Sequence, residues 1–332
     1  MPKSTIPDQI LDSIVRSKRV AVVPHNRPDV DALGSSLAIV SALNASGRDA
    51  KVYAGGDILS KLRFLPGFST QVETEMTEDS LSKFTASDLV IVADTHEPTR
   101  VGVWWQAIQN LDTTHSVIVI DHHRDNDGLG NGWVDPEASS TSEMVFWLLE
   151  RLQWPITQDI AVCLAAGIVG DTSHFTNSNS SADVLRAAAY LVERGADLHD
   201  ISMHLDDAGK IAKVRLWGQA LADVKSDFGG QYVWTSIALD MLSTFGVKEY
   251  ELEGLSNYLR TIHGVAIAAA FFEQDSTHTR VSLRAISGYD VQAIASQFPG
   301  GGGRGAAAGC VVPLPLEATQ SVISEKVSSA LK

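Results

Sequence analysis

A chain of 332 residues with 44% hydrophobic content can bury a sizeable core, and its length favours two domains over one. The formal net charge of −14 argues against broad, non-specific binding to long duplex nucleic acid, which needs many Lys/Arg–phosphate contacts. No apolar run approaches the roughly 18 residues of a membrane span, MPKSTIPDQI lacks a signal-peptide core, and Cys163 and Cys310 suggest no disulfide framework, so a reducing cytoplasm is expected.

Residues 20–23 read as a short buried strand, followed by His25, Asp29 and Asp31. Asp31 is the expected N-cap of a helix over 32–43, with Gly47 as its stop signal. Residues 51–53 suggest another strand before the Gly55-Gly56 turn. The clearest further strands are 89–93 and 117–120, short and β-branched. Asp94 follows the first of these, and Asp121-His122-His123 ends the second. Helices are expected over 142–152, 159–169 and 182–194, the last closed by Gly195, and Asp171 follows the apolar stretch 161–170. This alternation predicts an α/β fold, a parallel sheet with helices on both faces. In such sheets the site assembles in the crevice beyond the carboxyl ends of the strands.

Taken singly, most of these motifs have a bland reading. HNRPDVD could be a polar turn, Asp94 a loop acid, and Gly170-Asp171-Thr172 an ordinary bend. Their joint occurrence at element ends within one domain points instead to a metal site. Hard oxygen ligands mixed with imidazole suit Mn²⁺, or Mg²⁺, Co²⁺ or Fe²⁺, whereas the thiolate cages of structural zinc are absent. Four aspartates with two histidines exceed what one ion needs, so two ions are expected. A pair about 3.5–4 Å apart clamps the attacking and leaving oxygens of a phosphoryl group. The implied reaction is metal-assisted hydrolysis of a phosphate ester.

A polar, helical-looking segment, 206–225, leads to a second region opened by Gly229-Gly230. Strand-like runs follow at 232–239, 265–272 and 279–285, then a helical run at 290–298 and the glycine run Gly300 to Gly303, Arg304, Gly305. From Gly254 onward six Lys+Arg stand against five Asp+Glu, so the acidity belongs to the first part. That asymmetry suits a carboxylate-rich metal domain joined to a more neutral substrate-holding domain.

The motifs HNRPDVDALGS, ADTHEPTRVG, IDHHRDN, SSTSEM and GIVGDTSHFTNSNS, with EGLSNYLRTIHGV, VSLRA and GGGGRGAAAGC further on, together resemble the DHH family of phosphoesterases. The similarity runs from about Lys18 to Leu316. It points to the NrnA-type group of nanoRNases, 3′-phosphoadenosine 5′-phosphate (pAp) phosphatases and cyclic-dinucleotide phosphodiesterases, with a DHH-associated C-terminal domain. The resemblance implies a parallel-sheet catalytic domain over 1–205, a helical linker over 206–226, a smaller α/β substrate-binding domain over 227–332, and an active site in the cleft between them.

It also implies two Mn²⁺ sites: His25, Asp29 and Asp94 for one, and Asp31, Asp94, His122 and Asp171 for the other, with Asp94 bridging. His123 would face the substrate, and Asp121 would orient a histidine, a service metal sites commonly need. Arg284 and the glycines Gly301, Gly302 and Gly303 would hold the substrate's terminal phosphate and nucleotide. Arg304 stands where the family's glycine motif carries a histidine; a guanidinium still grips phosphate, but the capacity to titrate is lost. Arg100 would contact substrate phosphate or a dimer partner.

The expected activity is hydrolysis of short oligoribonucleotides to mononucleotides and dephosphorylation of pAp, through two-metal hydroxide attack on phosphorus. Cyclic di-AMP or linear pApA is the alternative substrate, and an inorganic pyrophosphatase or a nucleotide-binding regulator is the more distant reading. No membrane and no long duplex DNA are expected as partners, and a homodimer is. Trp104 and Trp105 read as packing residues, and His96, His174, His199 and His204 as structural or surface groups.

Overall fold

The computed structural model describes residues 5–95, 97–112, 115–123, 131–205, 211–248, 252 and 254–331. They form two compact units, Met1–Asp207 and Ala208–Lys332. In the first unit the apolar runs become β1 (Arg19–Pro24), β2 (Asp49–Tyr53), β3 (Val72–Glu73), β4 (Leu89–Ala93), β5 (Ser116–Asp121) and β6 (Gly132–Val134). They lie side by side in the order β3-β2-β1-β4-β5-β6, every neighbouring pair parallel. All five residues of β4 are buried. A strand apolar on both sides is what a central parallel strand requires, because helices cover both faces.

One face is covered by the helices Val30–Ala45, Thr141–Leu152 and Gln158–Asp171, packed into a single large cluster with Val20, Val22, Ile91, Ile118 and Ile120. The first and third of these helices are apolar almost all round, as a fully buried helix must be. On the other face Trp104 is fully buried, with ring centroids 4.9 Å from Tyr53 and 5.1 Å from Phe84. Both Trp104 and its half-buried neighbour Trp105 are packing residues.

The strand order places a reversal between β1 and β4: the chain runs outward one way through β2 and β3, and the other way through β5 and β6. Loops leaving the two central strands therefore diverge and open a crevice at their carboxyl ends, the usual ligand position in open α/β sheets. His25, Asp94 and His122 stand there.

The second unit is a mixed sheet of β7 (Lys225–Asp227), β8 (Tyr232–Ile237), β9 (Ile267–Glu273), β10 (Thr279–Ala285), β11 (Gly302–Arg304) and β12 (Ala307–Val312). Its order is β11-β12-β10-β9-β8-β7, antiparallel except for β8 against β9. The helix Leu316–Ala330 lays Ile323 and Val327 on one face. On the other, Leu216 and Ala220 of the helix Ile211–Ala222 join Leu255 in an apolar cluster. Part of the segment expected as a linker thus contributes to this unit's core.

Two local expectations change. The helix after β1 is capped by Asp29, whose carboxylate accepts from Asp31 N and Ala32 N, both at 3.0 Å; Asp31 lies within the first turn. The helix expected over 290–298 is one turn, Gln292–Ala295. In the glycine run, for which no element was expected, Gly302 and Gly303 form strand and pair with Gly309 and Ala308. Among the described residues, no helix is long and apolar enough to cross a membrane.

Candidate metal centre

β1, β4 and β5 each deliver their polar residues at the strand end, and the helix Gln158–Asp171 delivers Asp171 as its last residue. Asp94 takes a left-handed backbone, φ 60°, which aspartate tolerates better than most residues. Its N–H donates to Ile120 O at 3.0 Å, tying the β4 exit to β5. Three triplets result: His25, Asp29 and Asp94; Asp31, His122 and Asp171; Asp94, His122 and His123. Within each, one ligand atom per residue lies within 4.8 Å of the others.

The histidines are oriented by acceptors. Asn26 O lies 3.0 Å from His25 Nδ1, and Ala138 O lies 3.3 Å from His122 Nδ1. A carbonyl can only accept, so each Nδ1 carries the proton and each Nε2 turns a lone pair inward. His25 Nε2 is then 3.6 Å from Asp94 Oδ2 and 3.8 Å from Asp29 Oδ2. His122 Nε2 is 3.2 Å from Asp171 Oδ2, 3.4 Å from Asp94 Oδ1 and 3.8 Å from Asp31 Oδ2. His123 Nδ1 is 2.6 Å from Asp121 Oδ1, so the fully buried Asp121 carboxylate fixes the ring.

The residues fit a metal ion on physical grounds. His25 Nε2 is buried without a hydrogen-bond partner. The carboxylate oxygens beside it are too distant for a hydrogen bond. Yet donors that share an ion at about 2.1 Å stand roughly 3–3.5 Å apart, close to the spacing seen. Charge points the same way. Asp31 is fully buried and Asp94 is 1% exposed, and buried charges without compensation are costly.

Two backbone donors hold the Asp31 carboxylate: Thr141 N at 2.7 Å and Ser142 N at 2.8 Å, from the first turn of the helix Thr141–Leu152. Thr141 Oγ1 donates to Asp94 Oδ1 at 2.8 Å. Asn177 and Asn179 both donate from Nδ2 to Asp171 O, at 3.3 and 3.2 Å. Sequence reasoning assigned none of these four a role. The only signal was the run of small hydroxyl and amide residues in SSTSEM and TNSNS beside the ligand motifs.

Of the residues named from the sequence, the first unit gathers His25, Asp29, Asp31, Asp94, Asp121, His122, His123 and Asp171. Arg100 sits on the short helix Pro98–Val101, and its carbonyl accepts from Asn26 N at 2.6 Å. Arg284, Gly301, Gly302, Gly303 and the backbone of Arg304 belong to the second unit. There Arg284 Nε donates to Asn257 Oδ1 at 2.7 Å and Nη1 to Leu283 O at 2.9 Å. His174 Nδ1 lies 3.0 Å from Ser202 Oγ, and His204 stacks on Phe64. His96 lies outside the described residues.

Burial, then the neighbouring Asp94 and Asp171 carboxylates, raise the Asp31 pKa well above the ordinary carboxylate range. In the metal-free protein the native carboxyl keeps a proton that the unfolded chain has already released. Stability therefore falls as pH rises from the ordinary carboxylate range through the raised value. A divalent cation displaces that proton. Manganese uptake is expected to release protons and to tighten as pH rises, which titration calorimetry in buffers of different ionisation enthalpy will read. Proton-free uptake with constant affinity from pH 5.5 to 8 would remove Asp31 from the ion's surroundings.

Residues 19–168 match the DHH family, N-terminal domain, and residues 229–332 the DHHA1 domain. The chain is 31% identical over 313 residues to a bifunctional oligoribonuclease and PAP phosphatase, NrnA, of Thermus thermophilus, covering 94% of this chain and 90% of that protein. It is 26% identical over 322 residues to the cyclic-di-AMP phosphodiesterase PdeA of Listeria monocytogenes, covering 90% of this chain and 45% of that longer protein. The crystal structure of an exopolyphosphatase-related protein from Bacteroides fragilis shares the fold, with a TM-score of 0.90 at 23% identity over 97% of this chain and 95% of that one. The chain belongs to the DHH family of phosphoesterases, with a DHH N-terminal domain followed by a DHHA1 domain.

Proposed function

We propose that this protein hydrolyses short oligoribonucleotides to mononucleotides and removes a phosphate from pAp, using two divalent ions, Mn²⁺ foremost. The observation that carries this reading is the set of three triplets, two of them containing Asp94, each with ligand atoms within 4.8 Å. The likeness to the Thermus thermophilus enzyme over nearly the whole chain supports the substrate class. His25, Asp29 and Asp94 would hold one ion, and Asp31, Asp94, His122 and Asp171 the other. Bound there, the ions would supply Lewis-acid polarisation of the phosphoryl oxygens and a nucleophile at neutral pH.

The chain's own residues do the rest. The donors from Thr141 and Ser142 hold Asp31 and Asp94 in place before substrate arrives, so little reorganisation remains for the reaction. Asp121 keeps the His123 Nδ1 proton in place and leaves Nε2 to meet the charge that builds on the substrate oxygens. In the second unit, Asn257 and Leu283 O fix the plane of the Arg284 guanidinium, which suits it to a terminal phosphate. Gly301, Gly302, Gly303 and Arg304 would add nucleotide contacts, and Arg100 a phosphate contact. The functional division is a catalytic domain over 1–205, a linker over 206–226 and a substrate domain over 227–332, in a cytoplasmic homodimer.

The likeness to PdeA favours a second reading in which cyclic di-AMP or pApA is the substrate. A product-resolved assay with Mn²⁺ separates the two, offering pAp, pApA, cyclic di-AMP, RNA of two to five nucleotides and pyrophosphate in parallel. Mononucleotide release from the short RNAs together with pAp dephosphorylation is the expected result. Preference for cyclic di-AMP would move the protein to the second reading, and turnover of pyrophosphate alone would overturn both.

A further inference from the structure

The carbonyl that orients His25 belongs to the next residue, Asn26, and any residue there would supply one. Yet three glycines converge on the Asn26 side chain. A Cβ on Gly55 would stand 3.0 Å from Asn26 Oδ1, and one on Gly56 2.7 Å from the same atom. One on Gly102 would stand 2.9 Å from Oδ1, Cγ and Cβ alike. Gly55 and Gly56 follow β2, and Gly102 follows the helix Pro98–Val101, so two other loops build a seat for the loop after β1. Gly56 and Gly102 adopt φ 75° and 74°, where other residues are strained, so backbone and space both reserve these positions for glycine.

Backbone bonds close the seat. Asn26 N donates to Arg100 O at 2.6 Å, and Arg27 N donates to Gly55 O at 2.9 Å. The peptide units on both sides of Asn26 are therefore tied down, and its carbonyl is held 3.0 Å from His25 Nδ1. The direction of that carbonyl matters, because an imidazole with its proton on Nε2 has no lone pair there for an ion. His122 takes its own acceptor, Ala138 O, from a different segment. The two ring orientations are thus set independently.

We infer that Asn26 is a positioning residue whose side chain, keyed into the seat of Gly55, Gly56 and Gly102, aims the carbonyl that keeps His25 Nε2 open to an ion. It acts through His25 and not on the reacting atoms. The inference rests on the two-ion reading and adds that the position of His25, Asp29 and Asp94 can be weakened apart from that of Asp31, His122 and Asp171.

Two variants test it. Asn26→Ala empties the seat and leaves the carbonyl in the chain, whereas Asn26→Asp fills the seat with a side chain of the same shape. Long-range proton–nitrogen NMR spectra of the histidine rings read the tautomer in metal-free, full-length protein. Wild type and Asn26→Asp should hold the His25 proton on Nδ1, and Asn26→Ala should show a mixture of tautomers. Calorimetric titration with Mn²⁺ should resolve two binding events in the wild type. Asn26→Ala should weaken one of them by about 10–100-fold, the range of a lost orienting partner, and leave the other little changed. Gly55→Ala crowds the seat without a left-handed backbone penalty, and should move both readouts the same way by less. An unchanged His25 tautomer in Asn26→Ala, or equal weakening of both events, would overturn the inference, since a merely structural role loosens the whole centre. Failure of the two-ion reading would appear separately, as wild-type protein that takes up fewer than two Mn²⁺, and the tautomer would still decide what Asn26 does.

Discussion

Asp94→Asn is expected to lower kcat on short RNA by more than about 10³-fold, beyond the roughly 10–100-fold that removing an orienting partner costs. Asp94 belongs to two of the three triplets and has an oxygen near each of His25, His122 and His123. Losing its charge weakens both proposed ion positions together. The fold should tolerate the change. Asparagine also accepts φ 60°, whereas alanine there adds a left-handed penalty of about 1–2 kcal/mol, so Asp94→Ala should melt lower than Asp94→Asn.

Stability without metal should move the opposite way from activity. Asp94 is the foremost charge raising the Asp31 pKa, so neutralising it relieves repulsion inside a buried site. Metal-free Asp94→Asn is therefore expected to melt at or above the metal-free wild type, and to lose most of the rise that Mn²⁺ confers. Scanning calorimetry with and without Mn²⁺, beside steady-state kinetics, checks both parts. Wild-type turnover in Asp94→Asn would end the two-ion proposal.

What the sequence made legible follows from how each feature is encoded. β1, β4 and β5 are contiguous apolar runs, so a central parallel strand and the polar residues that end it can be read together. His25, Asp94, His122 and His123 were visible for that reason. Asp29 and Asp31 were harder, because either aspartate can cap a helix. Only the direction of the carboxylates separates the cap from the residue turned inward. Thr141 and Ser142 were beyond sequence reasoning, since their backbone N–H groups meet a carboxylate 110 and 111 residues earlier.

The second unit was read less completely. β7 is fully exposed and carries no apolar pattern, and β11 is built from glycines whose strand state comes from pairing with β12, not from propensity. The helices Leu255–Arg260 and Leu316–Ala330 went unread, although each buries apolar residues. The amphipathic helix Asp8–Arg16 is a different kind of miss. Its buried Ile10, Leu11 and Ile14 follow helical spacing and were open to reading.

Gly167→Ala is expected to disable the centre without touching a proposed ligand. Gly167 lies in the helix Gln158–Asp171 against the Asp31 carboxylate. A Cβ there would stand 2.0 Å from Ser142 Oγ, 2.6 Å from Asp31 Oδ1 and 2.8 Å from Ser142 Cβ. All three distances are far inside contact, and both neighbours are fully buried, so one must move. Moving either breaks the bond from Ser142 N to Asp31 Oδ1 that positions the carboxylate. Overpacking of this kind costs about 1–3 kcal/mol, and the lost positioning should weaken Mn²⁺ binding by at least about tenfold. The two effects can be separated. Ser142 Oγ is buried without a hydrogen-bond partner, so Ser142→Ala alone should be close to neutral in stability. In the double variant the 2.0 Å contact disappears but the 2.6 Å approach to Asp31 Oδ1 remains. The melting temperature should recover in part while Mn²⁺ affinity stays low. Recovery of both together would mean that Ser142 Oγ, and not the Asp31 carboxylate, is what the missing side chain at Gly167 makes room for.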